Sequence, residues 1–109
     1  MTAPTHRNLE WQRFTLVEQL ANVGSEVDRA IRAHQSGAQS RFENALSRAL
    51  DLFDQSAADN RWAGARRREI LRAREEFCRL FFDDTTSPEA VEGLRRYFLA
   101  FAVAARVRR

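Results

Sequence analysis

Nine consecutive apolar residues, Tyr97-Phe98-Leu99-Ala100-Phe101-Ala102-Val103-Ala104-Ala105, constrain this chain more than any other stretch. They lie in a helical pattern from Pro88 to about Arg106, where Val91, Leu94, Phe98, Phe101 and Ala105 recur at alternating steps of three and four. Tyr97, Ala100, Ala104 and Val107 form a second stripe beside that seam. One neighbouring helix covers one stripe, so a helix with two stripes is either central in a bundle or placed at an oligomer contact. The run is too short to cross a bilayer, which takes about 20 residues, and no membrane association is expected.

The rest of the chain repeats the helical period. Thr15-Leu16-Val17-Glu18 matches a capping box, in which the Thr hydroxyl and the Glu carboxylate satisfy free backbone N–H groups. The first long helix starts there, with Leu16, Leu20, Val23, Val27, Ala30 and Ile31 in one stripe. Gly24 borders that stripe at a cost of about 1 kcal/mol relative to Ala, which points to the close approach of another helix. Gly37 supplies the left-handed stop. A second helix, about Gln39 to Ala57, carries a broad face of Phe42, Ala45, Leu46, Ala49, Leu50, Phe53 and Ala57. Asp59-Asn60 makes a turn. A third helix, about Ala63 to Phe82, has a core stripe of Ile70, Ala73, Phe77, Leu80 and Phe81 and a second stripe of Leu71, Cys78 and Phe82. Ser87-Pro88-Glu89 starts the fourth. The expected fold is all-α: a four-helix up-and-down bundle over residues 15–109, with residues 1–14, which include Leu9, Trp11 and Phe14, as an N-terminal strap.

All 18 basic residues are Arg. Residues 1–60 hold six Arg and eight acids, whereas residues 61–109 hold twelve Arg and seven acids, so the C-terminal half is the basic one. Codon usage in a GC-rich genome is the plain explanation; selection of Arg for its bidentate fork, suited to phosphate or carboxylate, is the sharper one. A nucleic-acid footprint would draw on Arg66, Arg67, Arg68, Arg72, Arg79, Arg95, Arg96 and Arg106, supported by Arg74, Arg108 and Arg109. Trp62 beside that cluster would either stack on a base or cap the core. The i,i+4 spacings Arg72–Glu76 and Glu75–Arg79 argue for partial neutralisation within the third helix.

Signatures of catalysis are sparse. His6 and His34 lack the Glu three residues earlier that a di-iron bundle uses, and one cysteine, Cys78, forms neither a zinc knuckle nor an internal disulfide. No glycine-rich phosphate loop or Gly-x-Ser-x-Gly elbow is present. Neither cofactor nor metal is expected. The N-terminus lacks the apolar run of a secretory signal, so a cytoplasmic location is expected.

Arg29 and His34, separated by four residues, resemble the short Arg/His motif of the HEPN family of small helical ribonucleases. That resemblance implies RNA cleavage at a dimer interface. Ala30 stands where a polar residue often follows the Arg, and His34 continues the stripe of Leu20, Val27 and Ile31 as a half-buried structural residue. A wider resemblance covers most of the chain from Trp11 onward. Glu18–Val27 with Arg29-Ala30-Ile31, Arg48–Leu52 with Asp54, Asn60-Arg61-Trp62 with Gly64, and Tyr97-Phe98 with Phe101-Ala102 and Ala104-Ala105-Arg106 are similar to a group of short, uncharacterised bacterial and archaeal helical proteins. That group implies no activity. At the level of fold, the chain also resembles the small basic bundles that accompany retroelement reverse transcriptases and form ring oligomers.

Three functions follow, in order of expectation. The first is a non-enzymatic, homo-oligomeric accessory protein that binds RNA or DNA through the Arg-rich half. The second is an assembly or adaptor module whose Arg surface is only solvated. The third is a nuclease using Arg29 and His34. The surplus stripes assign the oligomer contact to Leu71, Cys78, Phe82, Tyr97, Ala100 and Ala104.

Overall fold

The computed structural model describes residues 11–83 and 86–107. Four helices fill most of that span: α1 Leu16–Gln35, α2 Gln39–Ala58, α3 Ala65–Phe82 and α4 Pro88–Val107, with a single 3-10 turn at Asn60–Trp62 between α2 and α3. The fold is the expected all-α four-helix bundle.

The local rules hold at the helix ends. The Thr15 hydroxyl accepts from the Glu18 N–H at 3.2 Å, and the Glu18 carboxylate accepts from the Thr15 N–H at 2.9 Å. Gly37, at φ +72°, turns the chain from α1 into α2. The Ser87 hydroxyl accepts from the Ala90 N–H at the start of α4. α3 begins two residues later than its apolar pattern implies, because the 3-10 turn and Gly64, at φ +86°, reorient the chain before the first regular turn.

Contacts between helices run in opposite numerical senses, as antiparallel neighbours require. His34 meets Phe42, Glu26 meets Arg48 and Gln19 meets Asp59 across α1 and the end of α2. Asp28 meets Arg95 and Gly24 meets Phe98 across α1 and α4. α1 packs extensively on both α2 and α4, while α3 closes the ring opposite it with looser contacts to each. The Phe53 and Phe77 rings meet at a tilt with centroids 5.8 Å apart, and Phe53 and Phe98 meet edge-on at 6.0 Å, so α2, α3 and α4 converge on one aromatic centre. Burying each such ring contributes about 1.5–3 kcal/mol.

Gly24 does what its cost implied. A Cβ there would stand 2.7 Å from the Phe98 Cβ, so the glycine lets α4 approach α1 at this level.

Two expectations are corrected. α4 is not the central helix: α1 buries Gln19, Leu20, Val23, Val27, Ala30, Ile31 and Ala33, whereas α4 buries only Leu94 and Phe98. Much of the α4 apolar run is alanine, which contributes little area, and its large inward residues occupy one face only. His34 is exposed rather than half-buried, although its ring lies 5.0 Å from both Phe42 and Phe81. At the last turn of α1 the neighbouring elements no longer enclose it.

The first ten residues of the expected strap, including His6, lie outside the described residues, as do Arg108 and Arg109. Trp11 is within them and is buried in the core.

Candidate functional site

The candidate arginines divide into two sets. Arg67 donates from Nε to the Ala57 carbonyl at 2.6 Å, closing an open end of α2. Arg79 pairs with Glu75 at 2.9 Å. Arg95 bridges α4 to α1 through Asp28 at 3.1 Å and also reaches Glu92 at 3.4 Å. Arg74, named as support, pairs with Asp54 on α2 at 2.9 Å. Arg67, Arg74 and Arg95 tie elements of the fold together, whereas the Arg79 pair lies within α3 on its exposed surface.

Arg66, Arg68, Arg72, Arg96 and Arg106 are exposed and make no ion pair with another described residue. Arg68 and Arg72 lie on the outward side of α3, where Glu75 shares the surface, and Arg96 points outward from α4. Arg66 stands at the other end of α3's turn pattern, its guanidinium 5.9 Å from the Trp62 ring centroid. Trp62 itself caps the core. It is buried, Arg61 lies 4.5 Å over its ring, and its N–H donates to Gln19.

Gln19 is the polar centre that sequence reasoning missed. Its Nε2 donates to the Trp11 carbonyl at 3.1 Å and to Asp59 at 3.0 Å, while its Oε1 accepts from Trp62 Nε1 at 2.9 Å. Trp11 Nε1 donates to the Ser56 hydroxyl, and Arg61 binds Asp59 at 2.7 Å and the Phe14 carbonyl at 2.8 Å. The Asp59 carboxyl is held below the ordinary aspartate range, chiefly by its Arg61 hydrogen bond and against the opposing effect of burial. Every buried side-chain N or O atom among the described residues has a partner. This network locks Trp11, the start of α1, the end of α2 and the 3-10 turn into one unit, which is structural work. Its signal was present: Gln19 lies one turn before Val23 on the stripe that the core claims.

The outer faces of α3 and α4 carry a different chemistry. Phe82 is 71% exposed and Leu71 45% on α3, and Val107 is 78%, Leu99 55% and Val103 48% on α4. Of the six residues assigned to an oligomer contact, Leu71, Phe82 and Ala100 face out and Cys78 and Ala104 are partly covered. Tyr97 instead turns toward α3, where its hydroxyl donates to Glu69 at 2.9 Å; burial and the Glu69 charge push its pKa up. Leu99 and Val103, counted in the apolar run but assigned to neither stripe, also point outward.

Arg29 pairs with Glu26 at 2.7 Å, and the His34 ring packs against phenylalanines. Five residues apart, they project about 140° from one another around α1. A shallow hollow of about 320 Å³ between α1 and α4 is lined by Ala21, Gly24, Val27, Phe98, Leu99 and Ala102 and includes the mutually satisfied Asp28–Arg95 pair. Among the described residues no three His, Cys, Asp or Glu side chains are grouped to hold a metal, and no helix is long and apolar enough to cross a membrane. No protein-family model, curated protein or solved structure matches the chain.

Proposed function

We propose that this bundle is a homo-oligomeric assembly module that works by presenting the outer faces of α3 and α4 to other protein surfaces. The observation that carries this is the exposure of Leu71 and Phe82 along one side of α3, and of Leu99, Val103 and Val107 along one side of α4, outside a core that is already filled. Scattered exposed apolar residues are ordinary; large ones aligned along one side of a helix mark contact surfaces. A surface of this kind stabilises by removal from water, at about 25 cal/mol per Å² of apolar area. Light scattering at micromolar concentration tests it: the wild-type chain is expected as a discrete oligomer, and a variant with those five residues changed to Ser as a monomer of unchanged helicity. A monomeric wild-type chain would refute self-assembly.

Nucleic-acid binding is the second reading, favoured by the five exposed, unpaired arginines. Arg68 and Arg72 are one helical turn apart on one face, suited to successive phosphates. Affinity for short RNA or duplex DNA should then fall steeply with salt, and Arg68→Glu with Arg72→Glu should remove it. Binding that ignores both changes would dismiss this role.

A further inference from the structure

We infer that the end of the bundle where α1 and α3 begin and α2 and α4 finish is the surface that takes a nucleic-acid backbone. The inference rests on the nucleic-acid reading and gives it a place. The antiparallel order brings together chain segments that lie far apart in sequence. Arg61 donates to the Phe14 carbonyl at 2.8 Å, and the Arg61 and Arg66 guanidiniums lie 4.5 and 5.9 Å from the centroid of one Trp62 ring. Arg67 reaches the last turn of α2 through the Ala57 carbonyl. Arg106, in the last turn of α4, lines a hollow together with Phe14 and Glu18. Arg68 lies in the first turn of α3, and Arg13 precedes Phe14.

Charge selects the occupant. Among the described residues, the entry to α1, the α2–α3 turn and the terminal helical turns at this end hold six arginines, Arg13, Arg61, Arg66, Arg67, Arg68 and Arg106, against two acids, Glu18 and Asp59. The corresponding turns at the opposite end hold Arg32, Arg41 and Arg79 against Asp83 and Glu89. Asp59 is engaged by Arg61 and Gln19, whereas Arg13, Arg66, Arg68 and Arg106 are exposed and make no ion pair with another described residue. The first turn of α3 has no acid, so its three arginines crowd the positive end of the helix dipole, an arrangement that an external anion relieves. Unpaired guanidiniums on three separate elements suit a chain of phosphates, each matched by the planar fork, better than one small anion. A bilayer contact would also take apolar anchors, but Phe82 lies at the opposite end and Leu71, Leu99 and Val103 lie on the helix flanks.

Fluorescence anisotropy of labelled short single-stranded RNA and duplex DNA, titrated with the full chain over a range of salt, tests the surface. Four unpaired arginines predict a slope of log affinity against log salt of about −3 to −4 on the duplex. Arg66→Gln with Arg106→Gln should make that slope shallower by about two and lower the affinity at moderate salt by about tenfold or more. Arg96→Gln, which removes an exposed, unpaired arginine from the flank of α4, should leave both unchanged. All three side chains are exposed, so the circular dichroism spectra should match the wild type. If the Arg66 and Arg106 changes leave the slope as it was while Arg68→Glu with Arg72→Glu abolishes binding, the basic end is wrong and the nucleic-acid reading stands on the α3 flank. If Arg96→Gln lowers the slope as much per charge as the end pair does, the attraction is diffuse and the basic end is again wrong. A wild-type chain that binds phosphatidylserine vesicles, or nothing, and neither nucleic acid at low salt overturns both the surface and the reading.

Discussion

The region where α1 meets α2 and the region where α3 meets α4 use similar sequence patterns to opposite ends. On the first side the small residues Ala30 and Ala49 are fully buried, and a fully satisfied polar network around Gln19 fixes the chain entry and the α2–α3 turn. On the second side the inward stripes are met by Phe77, Leu94 and Phe98, and a second set of apolar residues remains in water. Apolar periodicity alone therefore does not say that a face is buried. It says that a face is able to be buried, and the number of neighbours decides which face is.

This contrast is open to direct attack. The largest effect is expected from Gln19→Leu, which keeps the volume, strands the Trp62 N–H and removes one of the hydrogen bonds to each of the Trp11 carbonyl and the Asp59 carboxylate; a loss of about 3–5 kcal/mol in denaturant unfolding is expected. If the loss were under about 1 kcal/mol, the network would not be what anchors that side. Asp59→Asn should cost about 1–3 kcal/mol at neutral pH by weakening its charged hydrogen bonds to Arg61. Because the Asp59 pKa is lowered on folding, its contribution is present above about pH 4 and is lost as pH falls through the lowered value. Acid melts of the variant should lack that component.

The two helical glycines sharpen the comparison further. Gly24→Ala sets a methyl 2.7 Å from the Phe98 Cβ, and the resulting displacement of α4 should outweigh the gain in helix propensity, for a net loss of about 1–2 kcal/mol in thermal melts. Gly93→Ala meets nothing within 4 Å and should instead stabilise by up to about 1 kcal/mol. The smallest effect belongs to Phe82→Ser and Leu71→Ser, each within about 0.5 kcal/mol in the dissociated chain. A large loss there would mean that the α3 outer face supports the fold.

Much of this was legible beforehand for identifiable reasons. The capping box at Thr15 and Glu18, the stop at Gly37 and the start at Ser87 are local hydrogen-bonding and backbone preferences, complete within a few residues. Gly24 was legible because an unfavourable residue in a helix needs a compensating contact. The arginines were so only in part: the Glu75–Arg79 pair followed from its i,i+4 spacing, but Arg67 and Arg95 share a residue type with Arg68, Arg72 and Arg96, and whether a carbonyl or carboxylate of another element stands within reach is decided by how the helices pack. Tyr97, expected at an oligomer contact, sits against α3 for a related reason, since Glu69 on α3 supplies the partner for its hydroxyl.

The sequence by itself determined the helices, their limits to within about two residues, and the inward stripe of each, because these follow from the helical period and from groups close in the chain. Only the tertiary structure decided that α1 and not α4 is the most enclosed helix, that Gln19 belongs to the core, and that Leu99 and Val103 look outward. Each of those is a question of which surfaces meet across the bundle, and burial is shared between elements that the chain places tens of residues apart.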